Sequence, residues 1–388
     1  MKPLIRKAIY TREDEDALIA SGDEWNFHSE ETKGHLHSLH PYPAKFIPQI
    51  PRRAIRLWTK PGDLVYDPFN GCGTSVLEAS LAGRHAVGTD NNAVAILASV
   101  AKTAAYSNAD LEALRGFFGR VSIGLVKAPP RPDLIPSNKN FHYWFDSVTV
   151  DRLAALKGLI LAEKEPCRTL LLAVFSSIIV RVSYQDSDTR YSRKLRDVVA
   201  GEVDSAFCSC LAKAIAHLPA AIVTGRGSVE IVQADSREVP FIDSGSVSLI
   251  VTSPPYLNAY DYHKYHRQRL HWIGGEESVR FARNLEIGSH DQFTRSNATP
   301  DGYFDDMGAC ISEWTRVLKK GGHCLMVIGD AIVSKQAVCV GDKLVDLLAK
   351  EGLVQEKRWI RTLHPTKRAF NIKNSRISHE HVILVRKR

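Results

Sequence analysis

At 388 residues, with 44% hydrophobic and 24% charged side chains and a mean hydropathy of −0.17, the chain suits one large globular domain or a core carrying a substantial insertion. No apolar run approaches the roughly 18 residues that span a bilayer, and Met1-Lys2-Pro3-Leu4-Ile5-Arg6-Lys7 lacks the apolar stretch of a signal peptide, so membrane and export classes are set aside and a cytoplasmic location is expected. The net charge of +8 is concentrated: from Gln355 onward ten lysines and arginines face only Glu356 and Glu380, an electrostatic footprint that fits a polyanionic partner as well as a solubilising surface.

Residues 1–36 are polar, contain the acidic stretch Glu13-Asp14-Glu15-Asp16, and read as an N-terminal arm. Helical spacing over Ile50 to Thr59 is followed by a Pro61-Gly62-Asp63 turn and the strand Leu64-Val65-Tyr66. The loop Asp67-Pro68-Phe69-Asn70-Gly71-Cys72-Gly73-Thr74 enters a helix from Ser75 to Leu81, stopped by Gly83. His85 to Gly88 predicts a second strand, ending at Asp90, and a helix runs from Asn92 to about Ala105. Across residues 107–226 the alternation stops. Helix-period segments dominate there (Asp151 to Ala162, Cys167 to Ser183, Val203 to Ala216), with little strand signal. A block that long exceeds any loop a compact sheet needs, so it reads as a helical insertion. Cys208 and Cys210 fall on its last helix, too closely spaced for the usual zinc knuckle, and the odd total of seven cysteines points to reduced thiols.

Strands resume at Val229 to Val232 and Val247 to Val251. A helix ending in Lys319-Lys320-Gly321-Gly322 precedes a strand from Cys324 to Ile328; Leu344 to Ala349 is helical, and Trp359-Ile360 and His381 to Val385 complete the strands. Strands alternating with helices on this scale predict an α/β protein with a doubly wound, mostly parallel sheet. The divisions expected are an arm (1–36), a first half of the core (37–106), the helical insertion (107–226), and a second half of the core with a basic C-terminal segment (227–388).

Strand, glycine turn and helix form an arrangement that grips nucleotide-like ligands, because glycines admit close backbone approach and a helix N-terminus offers free N–H groups. Asp90, ending the next strand, is placed to accept hydrogen bonds from two ribose hydroxyls. The third glycine of a dinucleotide fingerprint is absent after Gly71 and Gly73, which disfavours a nicotinamide dinucleotide. The second constellation is Thr252-Ser253-Pro254-Pro255-Tyr256. Two prolines cannot continue a ladder, so the chain must turn out at the C-terminal edge of the sheet, where α/β ligands bind. Ser253 Oγ and the Pro254 carbonyl can accept both hydrogens of an exocyclic amino group, and Tyr256 offers a face for an extruded base.

Together these two segments resemble the signature pair of DNA amino-methyltransferases. The resemblance implies the class I S-adenosylmethionine methyltransferase fold, a seven-stranded sheet, with Asp67, Pro68, Phe69, Gly71, Gly73 and Thr74 holding the methionine part of S-adenosylmethionine. Ser253, Pro254, Pro255 and Tyr256 would form the catalytic loop. The segment from His40 to Phe46 resembles the one this family sets against the cofactor, bringing in Tyr42 and Lys45. Asp90 with Asn91, and Asp235 with Ser236, would complete the cofactor set. A serine in this loop is similar to cytosine-N4 enzymes, whereas adenine-N6 enzymes more often carry Asp or Asn. Many relatives with Ser-Pro-Pro-Tyr carry it before the glycine loop; here the order is reversed.

The implied reaction is direct attack of a flipped base's amino nitrogen on the sulfonium methyl, with no covalent enzyme intermediate. Double-stranded DNA is the expected partner, with the helical insertion (107–226) as the candidate DNA-recognition region, no membrane role, and a cognate restriction endonuclease as a further candidate partner. Aromatics interleaved with basic residues nominate Arg190, Arg193, Lys194, Lys264, Arg267, Lys367, Arg368, Lys373 and Arg376 for nucleic-acid contact. Histidines 35, 37 and 40 lack the acids or cysteines that complete a metal site, so no metal is expected. Rival readings are an adenine-N6 enzyme, an RNA amino-methyltransferase, and a nucleic-acid-binding protein with a vestigial cofactor site.

Overall fold

The computed structural model describes residues 25–27, 32, 34–122, 129–138, 140–199, 201–222, 225–295, 299–362 and 379–388. Its centre is a sheet whose strands are short apolar runs bounded by turn formers. These are β1 (Leu64–Asp67), β2 (His85–Asp90), β5 (Val229–Gln233), β6 (Val247–Thr252), β7 (Leu318–Ile328), β10 (Leu353–Thr362) and β11 (His379–Lys387). They lie in the order β10-β11-β7-β6-β1-β2-β5. β11 runs antiparallel to both its neighbours, while the pairings β1–β2, β1–β6, β2–β5 and β6–β7 are parallel. This is the seven-stranded, mostly parallel, doubly wound architecture expected from the sequence.

Parallel strands require crossovers, and the crossover helices cover both faces of the sheet. Successive residues point to opposite faces, so Val65, Leu249, Leu325 and Val382 pack on α1 (Gln49–Trp58) and α2 (Thr74–Leu81). Their neighbours Tyr66, Ile250, Cys324 and Ile383 pack against α9 (Pro300–Val317) and α10 (Val340–Lys350) on the other side. All six residues of β6 are buried, as a central parallel strand demands. From β1 the chain winds out to β2 and β5 on one side and returns to β6 on the other. The strand order therefore reverses between β1 and β6, and a crevice opens at their C-terminal ends.

Between α3 (Ala93–Thr103) and β5 stand the helices of the insertion, α4 (Asn108–Ser122), α5 (Ser147–Leu161), α6 (Cys167–Ile178) and α7 (Glu202–His217). They bury a shared apolar cluster that Ala101 of α3 and Trp272 of α8 (Arg267–Leu285) also join, so the block is packed onto the core rather than hung from it.

Three expectations are corrected. The helix predicted from Cys167 to Ser183 ends at Ile178. The insertion also contains a two-stranded antiparallel hairpin, β3 (Gln185–Ser187) with β4 (Arg190–Arg193), too short and too polar to give an apolar alternation. Lys319 to Gly322 belong to β7, not to a helix end: the pairing jumps from Val247↔Leu318 to Leu249↔His323, and Gly321 at φ +75° supplies the conformation this bulge needs. A further small hairpin, β8 (Ala331–Val333) with β9 (Gln336–Val338), follows β7.

Candidate active site

The crevice at the switch point is a cleft partly open to solvent. Its floor is the glycine loop between β1 and α2. Gly71 (φ +49°) and Gly73 (φ +80°) adopt left-handed conformations. The Gly71 amide donates to Asp90 Oδ2 (2.8 Å) and the Asn92 amide to Asp90 Oδ1 (2.9 Å), so the acid that ends β2 holds the loop in place. Asn70 Nδ2 donates to Ser99 Oγ (2.7 Å), which in turn donates to the Gly71 carbonyl (3.0 Å). Beneath the loop the wholly buried Lys102 donates from Nζ to the Cys72 carbonyl (2.7 Å). A Cβ on Gly71 would stand 3.5 Å from the Tyr42 ring, within the cradle between loop and ring.

The walls carry Asp67, Asp90, Asp235 and Glu286, with Lys45 as their basic companion. Lys45 Nζ donates to the His37 carbonyl (2.7 Å), which occupies part of its charge. Asp67 accepts from Thr252 Oγ1 (2.8 Å) and from the Phe69 amide (3.2 Å), a bond that ties β1 to β6 across the switch point. Burial pushes the Asp67 and Asp90 carboxyls up to about 6, against the hydrogen bonds that each accepts. Burial also raises Glu286, which accepts from His263 and from the Tyr262 amide (2.5 Å). Asp235 is paired with Arg237 (2.7 Å), itself held by Asp306 (2.6 Å). Tyr42 stacks on His266 (4.7 Å between centroids) and on Tyr262 (5.9 Å).

The Thr252-Ser253-Pro254-Pro255-Tyr256 segment leaves β6 at the rim of this cleft, which Ser253 and Pro255 line alongside Asp67 and Gly71. The Tyr303 hydroxyl donates to the Pro255 carbonyl (3.0 Å) and steadies the loop. Tyr256 is not among the cleft's lining residues. Its hydroxyl donates to Glu380 Oε1 (2.7 Å), and Glu380 Oε2 is bound by Arg361 (2.6 Å), whose Nε donates to the Trp25 carbonyl (3.1 Å). Burial, then the Glu380 carboxylate, holds the Tyr256 phenol well above its usual range.

The fold thus brings Tyr42, Lys45, Asp67, Phe69, Gly71 and Thr74 to one cleft with Asp90, Asn91, Asp235, Ser236, Ser253 and Pro255. Pro68, Gly73 and Pro254 lie outside its lining. The Pro68 carbonyl accepts from Thr89 (3.0 Å) and from Ser236, and Gly73 is pressed on Ser99. Not anticipated from the sequence were Asn92 and Glu286 in the walls, and Lys102 and Glu380 behind them. A lone lysine inside the apolar run Ala93–Thr103 was the available signal for Lys102.

The basic candidates divide. Arg190, Arg193 and Lys194 are exposed on the β3–β4 hairpin and just beyond it. Arg267 lies 5.9 Å from the Tyr191 ring. Lys264, by contrast, is paired internally with Asp291 (2.6 Å) and Asp261 (3.2 Å). Lys367, Arg368, Lys373 and Arg376 lie outside the described residues. Among the described residues Asp330, His379 and His381 form one group of metal-ligand type. There His381 Nε2 bonds Asp330 (3.1 Å) and Arg358 donates to Nδ1 (3.4 Å), so both ring nitrogens are already used.

A family model described as DNA methylase, covering N6 and N4 enzymes, matches residues 6–100, the stretch that includes the glycine loop and Asp90. Over that stretch the chain is similar to the DNA amino-methyltransferases. It is 29% identical over 160 residues to the type II methyltransferase M.MvaI of Kocuria varians, covering 39% of this chain and 35% of that protein. Against the type II methyltransferase M.MjaII of Methanocaldococcus jannaschii it is 39% identical over 61 residues, 16% of this chain and 11% of that protein. These matches span about a third and a tenth of the relatives' own lengths. A SAM-dependent methyltransferase from Methanosarcina mazei overlays with a TM-score of 0.34 at 10% identity, over 86% of this chain and 96% of that one.

S-adenosylmethionine is the methyl donor of the family, and the cleft fits it. A glycine cradle open to a ligand and a carboxylate-rich wall suit a sulfonium cation with its ribose hydroxyls. The same acids would repel the pyrophosphate of a dinucleotide. Among the described residues, no helix is long and apolar enough to cross a membrane.

Proposed function

We propose that this chain is an S-adenosylmethionine-dependent DNA methyltransferase that modifies the exocyclic N4 of cytosine. The observation that carries the proposal is the junction of the two motifs: Ser253 and Pro255 line the same cleft as Gly71, Asp67 and Asp90. S-adenosylmethionine supplies an electrophilic methyl group on a positively charged sulfur. Ser253 Oγ and the Pro254 carbonyl accept the two hydrogens of the amino group. These bonds localise the nitrogen lone pair and stabilise the positive charge that develops on it. Asp67, fixed by Thr252, keeps β1 and β6 together so that the glycine cradle and the catalytic loop hold one geometry. The Tyr256 hydroxyl, fixed on Glu380, sets the end of that loop.

The serine at 253 favours cytosine, while the family description, which spans both chemistries, keeps adenine N6 as a second reading. Purified protein is incubated with S-adenosylmethionine and unmodified genomic DNA, and the digested nucleosides are analysed by mass spectrometry. N4-methylcytosine, abolished by Ser253→Ala, is the expected product. N6-methyladenine would replace cytosine as the target. Absence of any methylated nucleoside on varied DNA, with S-adenosylmethionine bound, would overturn the function.

A further inference from the structure

A second concavity lies directly behind the active-site wall. Asp261 to Tyr265 and Arg283 to Glu286 form that wall, clipped together by the buried His263–Glu286 bond. Tyr262, Leu285 and Glu286 face the cofactor cleft, whereas His263, Lys264 and Arg283 face a groove bounded on its far side by Thr189 to Ser192 of the β3–β4 hairpin. Arg190, Arg267, Arg280 and Arg283 line this groove. Its acids are already engaged. Asp261 and Asp291 hold Lys264, and Glu276 stands 3.7 Å from His271. Arg280 and Arg283 are exposed and make no ion pair with any described residue, while Arg267 reaches the groove from beside the Tyr191 ring.

The hairpin itself is braced beyond what so short a pair of strands could achieve alone. The fully buried Arg269 of α8 binds Asp188 at its turn and the Ser176 carbonyl (3.0 Å) of α6. Gln185 Nε2 donates to the Tyr265 carbonyl (3.3 Å), Tyr191 lies against Trp144 (4.7 Å), and the Arg193 guanidinium sits over Tyr143 (4.3 Å). What remains outward is Arg190, Ser192 and Lys194, all exposed, with Asp186 3.6 Å from Arg190 and 4.0 Å from Lys194. A rigid, cationic two-stranded ribbon matches the width of the major groove of duplex DNA, and arginine is the usual partner of a guanine edge.

We propose that the β3–β4 hairpin of the helical insertion is the element that reads DNA sequence, entering the major groove while Arg267, Arg280 and Arg283 bind the phosphates beside it. It rests on the DNA substrate proposed above. The position of the groove gives the arrangement its sense: duplex held there lies one wall's thickness from the cleft into which the target base must turn.

The test uses full-length protein with S-adenosylmethionine binding as the folding control. Arg280→Ala and Arg283→Ala change exposed side chains. Each is expected to weaken binding to a duplex of any sequence and to make the slope of log affinity against log salt shallower by about 0.9, the loss of one phosphate contact. Arg190→Ala and Ser192→Ala are expected to alter which sites of a plasmid are methylated, read by sequencing the modified positions. Wild-type protein that methylates DNA while all four variants keep its salt slope and its set of sites overturns the hairpin proposal alone. Wild-type protein that binds S-adenosylmethionine but neither binds nor methylates DNA overturns both. Variant losses confined to a structured RNA would transfer the groove to another substrate and equally refute the assignment to DNA.

Discussion

Replacing Gly73 by alanine tests how the cofactor cradle is built. At φ +80° an L-residue pays about 1–2 kcal/mol for the left-handed conformation. The new Cβ would also stand 2.7 Å from Ser99 Oγ and 3.0 Å from Ser99 Cα. The hydroxyl can rotate away, but the Cα belongs to α3 and cannot move without the helix, so overpacking adds about 1–3 kcal/mol. The two effects total about 2–5 kcal/mol, which in a chain of this size lowers the melting temperature by about 2–6 °C. Because the Gly71 carbonyl also rests on Ser99, the displaced helix carries the loop with it, and S-adenosylmethionine affinity falls at least about tenfold. Gly119→Ala is the control. It lies in α4 with nothing within 4 Å of its added Cβ, and there alanine gains about 0.5–1 kcal/mol of helix stability. Differential scanning fluorimetry gives opposite signs for the two variants, and titration calorimetry a loss of affinity for Gly73→Ala alone, if this account is correct. A Gly73→Ala protein that melts within a degree of wild type and binds the cofactor equally well would refute the close-packing account.

Burial raises Asp67 and Asp90 to about 6, so in the free protein each contributes stability that is complete below about pH 4 and is lost as pH rises through 6. A cationic ligand favours their ionised forms, so S-adenosylmethionine affinity should rise about tenfold per pH unit for each carboxylate required, up to pH 6, and then level off; calorimetry showing a flat profile from pH 5 to 7.5 would contradict this. Tyr256→Phe removes the bond to Glu380 and keeps the ring. A hydrogen bond to a charged group is worth about 1.5–3 kcal/mol, so kcat on DNA should fall about 10- to 100-fold while cofactor affinity, measured separately, stays unchanged. Arg361→Met leaves the Glu380 charge buried without its cationic partner and should destabilise the fold by about 3–5 kcal/mol in urea titrations; a loss below about 1 kcal/mol would show that the pair is solvated.

The two chemical motifs were legible in the sequence because each is local. A glycine turn between a strand and a helix, and a double proline ending a buried strand, state their backbone geometry in a few consecutive residues. The strand and helix alternation likewise announced a parallel sheet, since its buried strands are short apolar runs and its crossovers must be helical. The distribution of charge was visible too, but not its use. Arg361 and Glu380 looked like members of a basic tail and a strand start, and only the pairing of β10 with β11 brings them together behind Tyr256. Lys264 stood among solvent-facing candidates until the fold set Asp261 and Asp291 around it. The β3–β4 hairpin escaped because its stability comes from a buried arginine 81 residues away rather than from its own pattern. Local geometry and periodicity are written in neighbouring residues. The walls of the cleft, the partner of each buried charge and the groove behind the wall depend on contacts between distant segments, and only the folded chain decides them.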